Sequence, residues 1–151
     1  MTKTSISLFL AILLLLTSCL DSECVEETKA YMKVAFYSYE TKKAVLPESV
    51  ILHGVDNDST IYDNQKKIKN QALFPLKNSD TETAFIIKIN ETTDTIRFVH
   101  SNFLHLISKE CGFSMFHTID TVYFTTNEID SISLTNKNVT VRKIENVAIF
   151  Y

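Results

Sequence analysis

Tyr31-Met32-Lys33-Val34-Ala35-Phe36-Tyr37 decides the fold class. Its period is two: Met32, Val34 and Phe36 fall on one face, and Tyr31 and Tyr37 on the other, with Tyr39 in step just beyond. Successive side chains alternate that way along an extended strand, whereas a helix repeats every 3.6 residues. Working outward, the same habit recurs in Ser49–Val55, Thr60–Tyr62, Ala72-Leu73-Phe74 and Ala84–Ile89. It continues in Thr95–His100, Phe103–Ser108, Thr121–Thr125, Ser131–Leu134, Val139–Val141 and Val147–Tyr151. Between these runs lie clusters such as Asp56-Asn57-Asp58 and Asn136-Lys137-Asn138, whose side chains favour turns by bonding their own backbone. Pro75 suits a strand end or an edge. Only Tyr62–Ala72 has room for a helical turn or two. About eight to ten short strands with turn signals between them predict an all-β fold, an antiparallel β-sandwich of immunoglobulin-like or similar kind, with residues 30–151 as a single domain.

The composition narrows the function classes. The chain has 151 residues, 45% of them hydrophobic and 22% charged, which suits one globular domain and not a disordered chain. Glycine occurs only at Gly54 and Gly112, so the closely spaced glycines of a Walker loop or a dinucleotide fingerprint are absent. Three cysteines are too few for a four-thiolate zinc site.

The start of the chain reads as a targeting segment. Lys3 supplies positive charge, and Ile6–Leu16 is an eleven-residue run broken only by Ser7. A bilayer-spanning helix needs roughly 20 apolar residues, so this run is too short and matches a secretory signal. Leu16-Thr17-Ser18-Cys19 looks like a bacterial lipobox, in which diacylglycerol is attached to the cysteine sulfur and cleavage leaves that cysteine first. The predicted layout is a signal peptide over 1–18, lipidation at Cys19, and an acidic tether over 19–29. More than one acyl chain makes membrane attachment lasting. Without Lys3 the mature chain carries 14 basic against 18 acidic side chains, which disfavours nucleic acid as a partner. Lys66, Lys67 and Lys69 form the one basic cluster and read as a solvated loop or edge strand.

With Cys19 lipidated, Cys24 and Cys111 remain. In an oxidising compartment they most simply form a disulfide; two buried free thiols are the alternative.

Candidate chemistry is sparse. His53, His100, His105 and His117 raise a metal reading, but no pair has the spacing of a ligand set, so histidines at strand ends or half-buried positions are expected and no metal. Gly112-Phe113-Ser114-Met115-Phe116 matches half of a nucleophile elbow, with Phe116 where the second glycine belongs. Ser114 is therefore expected in a turn beside the disulfide. No catalytic residues and no cofactor are expected, and the protein is read as not an enzyme. Tyr31, Tyr37 and Tyr39, opposite the apolar set of the first strand, form a candidate contact surface. Asp58-Ser59-Thr60, Asp94-Thr95-Ile96, Asp120-Thr121-Val122 and Asp130-Ser131-Ile132 resemble a bacterial O-glycosylation sequon, and equally the way a strand begins after a turn.

Cys19 with Cys24 close behind, the Phe36-Tyr37 strand, Cys111-Gly112-Phe113-Ser114-Met115-Phe116-His117-Thr118-Ile119 and the chain end Asn146–Tyr151 together resemble an uncharacterised family of small envelope lipoproteins of the Bacteroidota. That resemblance lends no catalytic residues; it implies an envelope location and pairing of Cys24 with Cys111. The expected role is a non-catalytic binding or scaffolding module, lipid-anchored at the outer membrane and either periplasmic or surface-exposed, with an envelope protein as partner. The alternatives are a small-ligand or glycan binder, using the tyrosine face or a pocket near Ser114 and His117, and a hydrolase with an unrecognised site.

Overall fold

A computed structural model describes residues 23–55, 57–63 and 71–151. The signal peptide, Cys19 and the Lys66–Lys69 cluster lie outside the described residues, as does most of the stretch with room for a helical turn.

Ten strands occur among the described residues: β1 (Met32–Tyr37), β2 (Val50–Gly54), β3 (Asn57–Asp63), β4 (Ala72–Phe74), β5 (Glu82–Ile89), β6 (Thr92–Ser108), β7 (Gly112–Phe124), β8 (Ser131–Leu134), β9 (Asn138–Val139) and β10 (Val147–Phe150). They form a four-stranded sheet in the order β4-β1-β10-β8 and a six-stranded sheet in the order β3-β2-β5-β6-β7-β9. The fold is an all-β sandwich, as the alternation predicts. All pairings are antiparallel except β1 with β10, which runs parallel with Val34 opposite Val147 and Tyr37 opposite Phe150.

The two inner faces meet in one core. Met32, Val34 and Phe36 of β1 join Phe74, Val147 and Ile149 from the smaller sheet, and Leu52, Phe85, Ile87, Ile96, Phe98 and Ile119 from the larger. Phe74 and Phe85 bridge the sheets, with ring centroids 5.3 Å apart. Alternation is cleanest in β5, where Thr83, Phe85, Ile87 and Ile89 are buried.

β1 departs from the half-buried pattern, because Lys33 and Ala35 on its outer side are buried too. The segment preceding β10 explains this. Asn146 accepts a hydrogen bond at Oδ1 from the Lys33 amide (2.9 Å) and donates through Nδ2 to the carbonyls of Asn136 (3.0 Å) and Asn138 (2.9 Å). The Lys33 ammonium in turn donates to the Thr140 carbonyl at 2.7 Å. Those four contacts lay residues 136–146 over the outer face of β1.

Two expectations about the strands need correcting. Thr95–His100 and Phe103–Ser108 are not separate; they are the two halves of the seventeen-residue β6. Ser101-Asn102 continues in register with His117-Thr118 across the hairpin and makes no turn. Ser114 likewise lies inside β7, where its hydroxyl donates to the Thr28 carbonyl and is buried. A bulge between Val99 and His100 leaves Asp120 without an opposite number and lets the inner face stay aligned.

The far end of the sandwich is fixed by Asp94. Its carboxylate accepts from the Thr125 hydroxyl and from the backbone amides of Asn127 (2.9 Å), Glu128 (2.8 Å) and Ile129 (3.0 Å). Burial alone would raise this carboxyl, yet the four donors outweigh it and hold its pKa below the ordinary value. Asp94 is thus committed to structure, and its Asp-Thr-Ile triplet lies inside β6, two residues past the strand's start. Replacing Asp94 with alanine orphans three buried or half-buried amides. The expected result is a loss of about 2–3 kcal/mol of unfolding free energy in urea titration, with the slope unchanged.

Candidate functional site

The β6–β7 hairpin carries most of what the sequence marked. Its first half, through His100 and Ile119, covers the core. Its second half continues past the smaller sheet as a two-stranded arm, in which Leu104 faces Met115 and Leu106 faces Phe113. The tip is the three-residue loop Lys109-Glu110-Cys111, after which Gly112 takes a φ of +69°, a left-handed conformation that favours glycine. Cys111 is joined there to Cys24 by a disulfide, their Cα atoms 4.7 Å apart. The described part of the acidic tether is therefore no loose leash: Cys24 is bonded to the arm's tip and Thr28 to its Ser114.

Where the core ends and the arm begins, two histidines meet on the inner face. His100 and His117 pack edge to face, ring centroids 5.4 Å apart, and both are buried. Each Nδ1 donates to the same acceptor, Asn102 Oδ1, at 2.8 and 2.7 Å. The Asn102 amide donates to the carbonyls of Asn78 (3.0 Å) and Asp80 (2.6 Å), with a longer approach to Lys77 (3.3 Å). The Thr83 hydroxyl accepts from the Lys77 amide at 2.9 Å and is hydrogen-bonded to His100 Nε2, 2.8 Å away. In the neutral ring, with Nδ1 donating to Asn102, Nε2 is the acceptor and the Thr83 hydroxyl the donor. Burial lowers the His100 pKa, against weaker opposing pulls from Asn102, Asp120 and Asp80. Burial, and then the neighbouring His100, push His117 down to about 4.

The two histidines, Asn102 and Thr83 are thus tied to one another and to the loop before β5. His53 lies on β2 and His105 on the arm, where it stacks on Phe116 at 4.5 Å. Among the described residues, no three His, Cys, Asp or Glu side chains converge in a way that could hold a metal. Ser114 and His117 lie three residues apart on one strand and so project from opposite faces. A cleft does open beside Ser114, lined by Phe113, Met115 and residues 28–31, but His117 is not in its lining, and the two side chains are not placed as nucleophile and base. Asn102, which organises the site, escaped sequence reading; only the pairing of β6 with β7 puts it opposite His117.

The tyrosines do not share one exposed face. Tyr37 donates its hydroxyl to Glu145 at 2.7 Å, a bond that raises its pKa, and its ring packs on Phe150 at 5.4 Å. Tyr39 sits in the turn after β1, with the Lys42 ammonium 3.8 Å above its ring. The face they would have formed is the one covered by residues 136–146. Tyr31 alone opens onto a cleft of about 310 Å³, shared with Lys29, Lys33, Gln71, Leu73 and Lys143.

A two-sheet β-sandwich with a disulfide-pinned hairpin arm is the class that fold and site define. The chain belongs to DUF6452, a family of unknown function whose profile matches residues 49–151, from β2 to the end of the chain. No curated protein and no solved structure matches it.

Two outcomes follow from this geometry. The unfolded chain takes up protons on its histidines near pH 6.5, while folded His117 resists until about 4. Stability is therefore constant above about pH 7 and falls between 6.5 and 4, by on the order of 3 kcal/mol from His117 alone. Asp94, whose pKa is lowered, adds a further loss only below the ordinary carboxylate range. Urea midpoints measured from pH 8 to 4 should show that first slope, and His117→Gln should flatten it. For the disulfide, a closed loop of 86 intervening residues contributes about 4 kcal/mol through the unfolded chain. The Cys24→Ser/Cys111→Ser form should lose about that much and exchange the amides of residues 104–115 rapidly, while β5 amides still exchange only on global unfolding.

Proposed function

We propose that this protein is a lipid-anchored, non-catalytic binding or scaffolding module of the bacterial cell envelope, acylated at Cys19 and held outside the cytosol at the outer membrane. The observation that carries this reading is the Cys24–Cys111 disulfide. Such a bond persists where thiols are oxidised, and here it begins five residues after the cysteine of a lipobox-like leader. Charge and hydropathy of residues 1–18 support the same compartment. An envelope protein is the expected partner, and nucleic acid is disfavoured by the acidic balance of the chain.

A second reading draws on the Tyr31 cleft. A tyrosine ring beside Lys29, Lys33, Lys143 and Gln71 offers a stacking face next to hydrogen-bond donors, which suits a small polar ligand such as a sugar. Lys33 already donates to Thr140, which leaves Lys29, Lys143 and Gln71 for such a ligand.

The anchoring reading is tested by feeding labelled palmitate to cells that make the full chain. Label is expected in the wild-type protein and absent from Cys19→Ala, which should also leave the membrane pellet. A Cys19→Ala protein that keeps the label, or pellets as well as wild type, overturns the reading.

A further inference from the structure

We propose that the apolar face of the β6–β7 arm is a membrane-contact surface, which beds into the lipid interface beside the acylated amino terminus. This deepens the anchoring reading and rests on the acylation of Cys19.

The exposed apolar side chains are unevenly spread. The three most exposed large ones among the described residues are Val25 (91%), Leu104 (66%) and Phe113 (66%), and all three lie at the arm. Leu104 is directly opposite Met115 and Leu106 directly opposite Phe113, so these four share one face of the ribbon. That face is the core-facing side of the larger sheet, continued beyond Asn102, where Leu104, Leu106 and Phe113 are exposed and Met115 is half-buried beside residues 28–31. An apolar patch of this kind marks a contact surface, whereas scattered single residues need no explanation.

The occupant follows from where the chain leads. Cys24 is bonded to Cys111, and Phe113 is two residues further along β7. From Cys19 to Cys24 is five residues, which reach at most ~17 Å even when fully extended. An acylated Cys19 thus brings the lipid surface to the arm's tip, whatever path those residues take. Lys109 and Glu110 are exposed in the tip loop, at the level the headgroups would occupy. A protein partner would need a shape to match; an interface of lipid needs only protruding apolar side chains near an anchor.

The chain has no tryptophan, so a single one reports its own surroundings. The acylated full-length protein carrying Phe113→Trp is reconstituted on vesicles of phosphatidylethanolamine and phosphatidylglycerol, with and without brominated acyl chains. The expected result is a blue-shifted emission that brominated lipid quenches and aqueous iodide does not. Tyr39→Trp, at the other end of β1, should show the reverse. If Phe113→Trp is quenched by iodide and untouched by bromine while the protein floats with the vesicles, the anchor stands and the arm contact is overturned. Shielding from both quenchers together with a dimer in sedimentation overturns it in favour of a second copy. A wild-type protein that does not float with vesicles overturns the anchoring reading itself.

Discussion

Asn102 is where the core of this protein has to stop. The inner face of β6 runs through Ile96, Phe98 and His100, and the smaller sheet covers it only that far. A half-buried amide without partners would cost about 1–3 kcal/mol. This one has a partner in every direction: two imidazoles on its oxygen, and the carbonyls of Asn78 and Asp80 on its nitrogen. The loop before β5 becomes a lid on the core because those two carbonyls are drawn to a single side chain. The arm can then leave the sandwich without letting water in behind it.

The opposite end and the flank are closed by the same device, a polar side chain that gathers backbone groups which no strand can pair. Asp94 gathers three amides of the loop before β8. Asn146 joins β1 to the turn before β9, and so holds the parallel β1–β10 pair in place. A parallel pair cannot be closed by a hairpin, and these two strands come from the two ends of the domain. The contacts of Asn146 and of Lys33 with Thr140 do the work a tight turn would do elsewhere.

The strands were legible because alternation writes burial directly into sequence. β4 and β8 begin and end where Ala72–Phe74 and Ser131–Leu134 predict. The arm was not legible, for a physical reason. Ser101-Asn102 and Gly112-Phe113-Ser114 carry turn-type residues, and their local preference favours breaks. The cross-hairpin register overrides that preference, since each of these residues pairs with a strand already in place. The tyrosine row was misread for a related reason. Parity does place Tyr31 and Tyr37 together, but parity cannot say that a segment more than a hundred residues later folds back over that face. Cys24 and Cys111 were easier, because so few cysteines leave so few pairings.

The arm carries the sheet's inward-facing apolar alternation past the end of the core. A strand pair ordinarily turns its apolar side inward and its polar side to water, and a ribbon of two strands is marginal when nothing packs on it. Here Ser114 and Phe116 are buried on one side, tied to Thr28 and stacked by His105, while Phe103 on that side stays 44% exposed. On the other side Leu104, Leu106 and Phe113 are exposed and Met115 is half-buried. Burial of Phe116, 6% exposed, holds the opposite side of the ribbon against the rest of the chain. The continuous β6–β7 pairing carries that orientation outward, and the bond from Cys111 to Cys24 and the Ser114 hydroxyl fasten it. The cross-link therefore fixes the position of an exposed apolar strip that the strand pairing alone would leave as a free two-stranded ribbon.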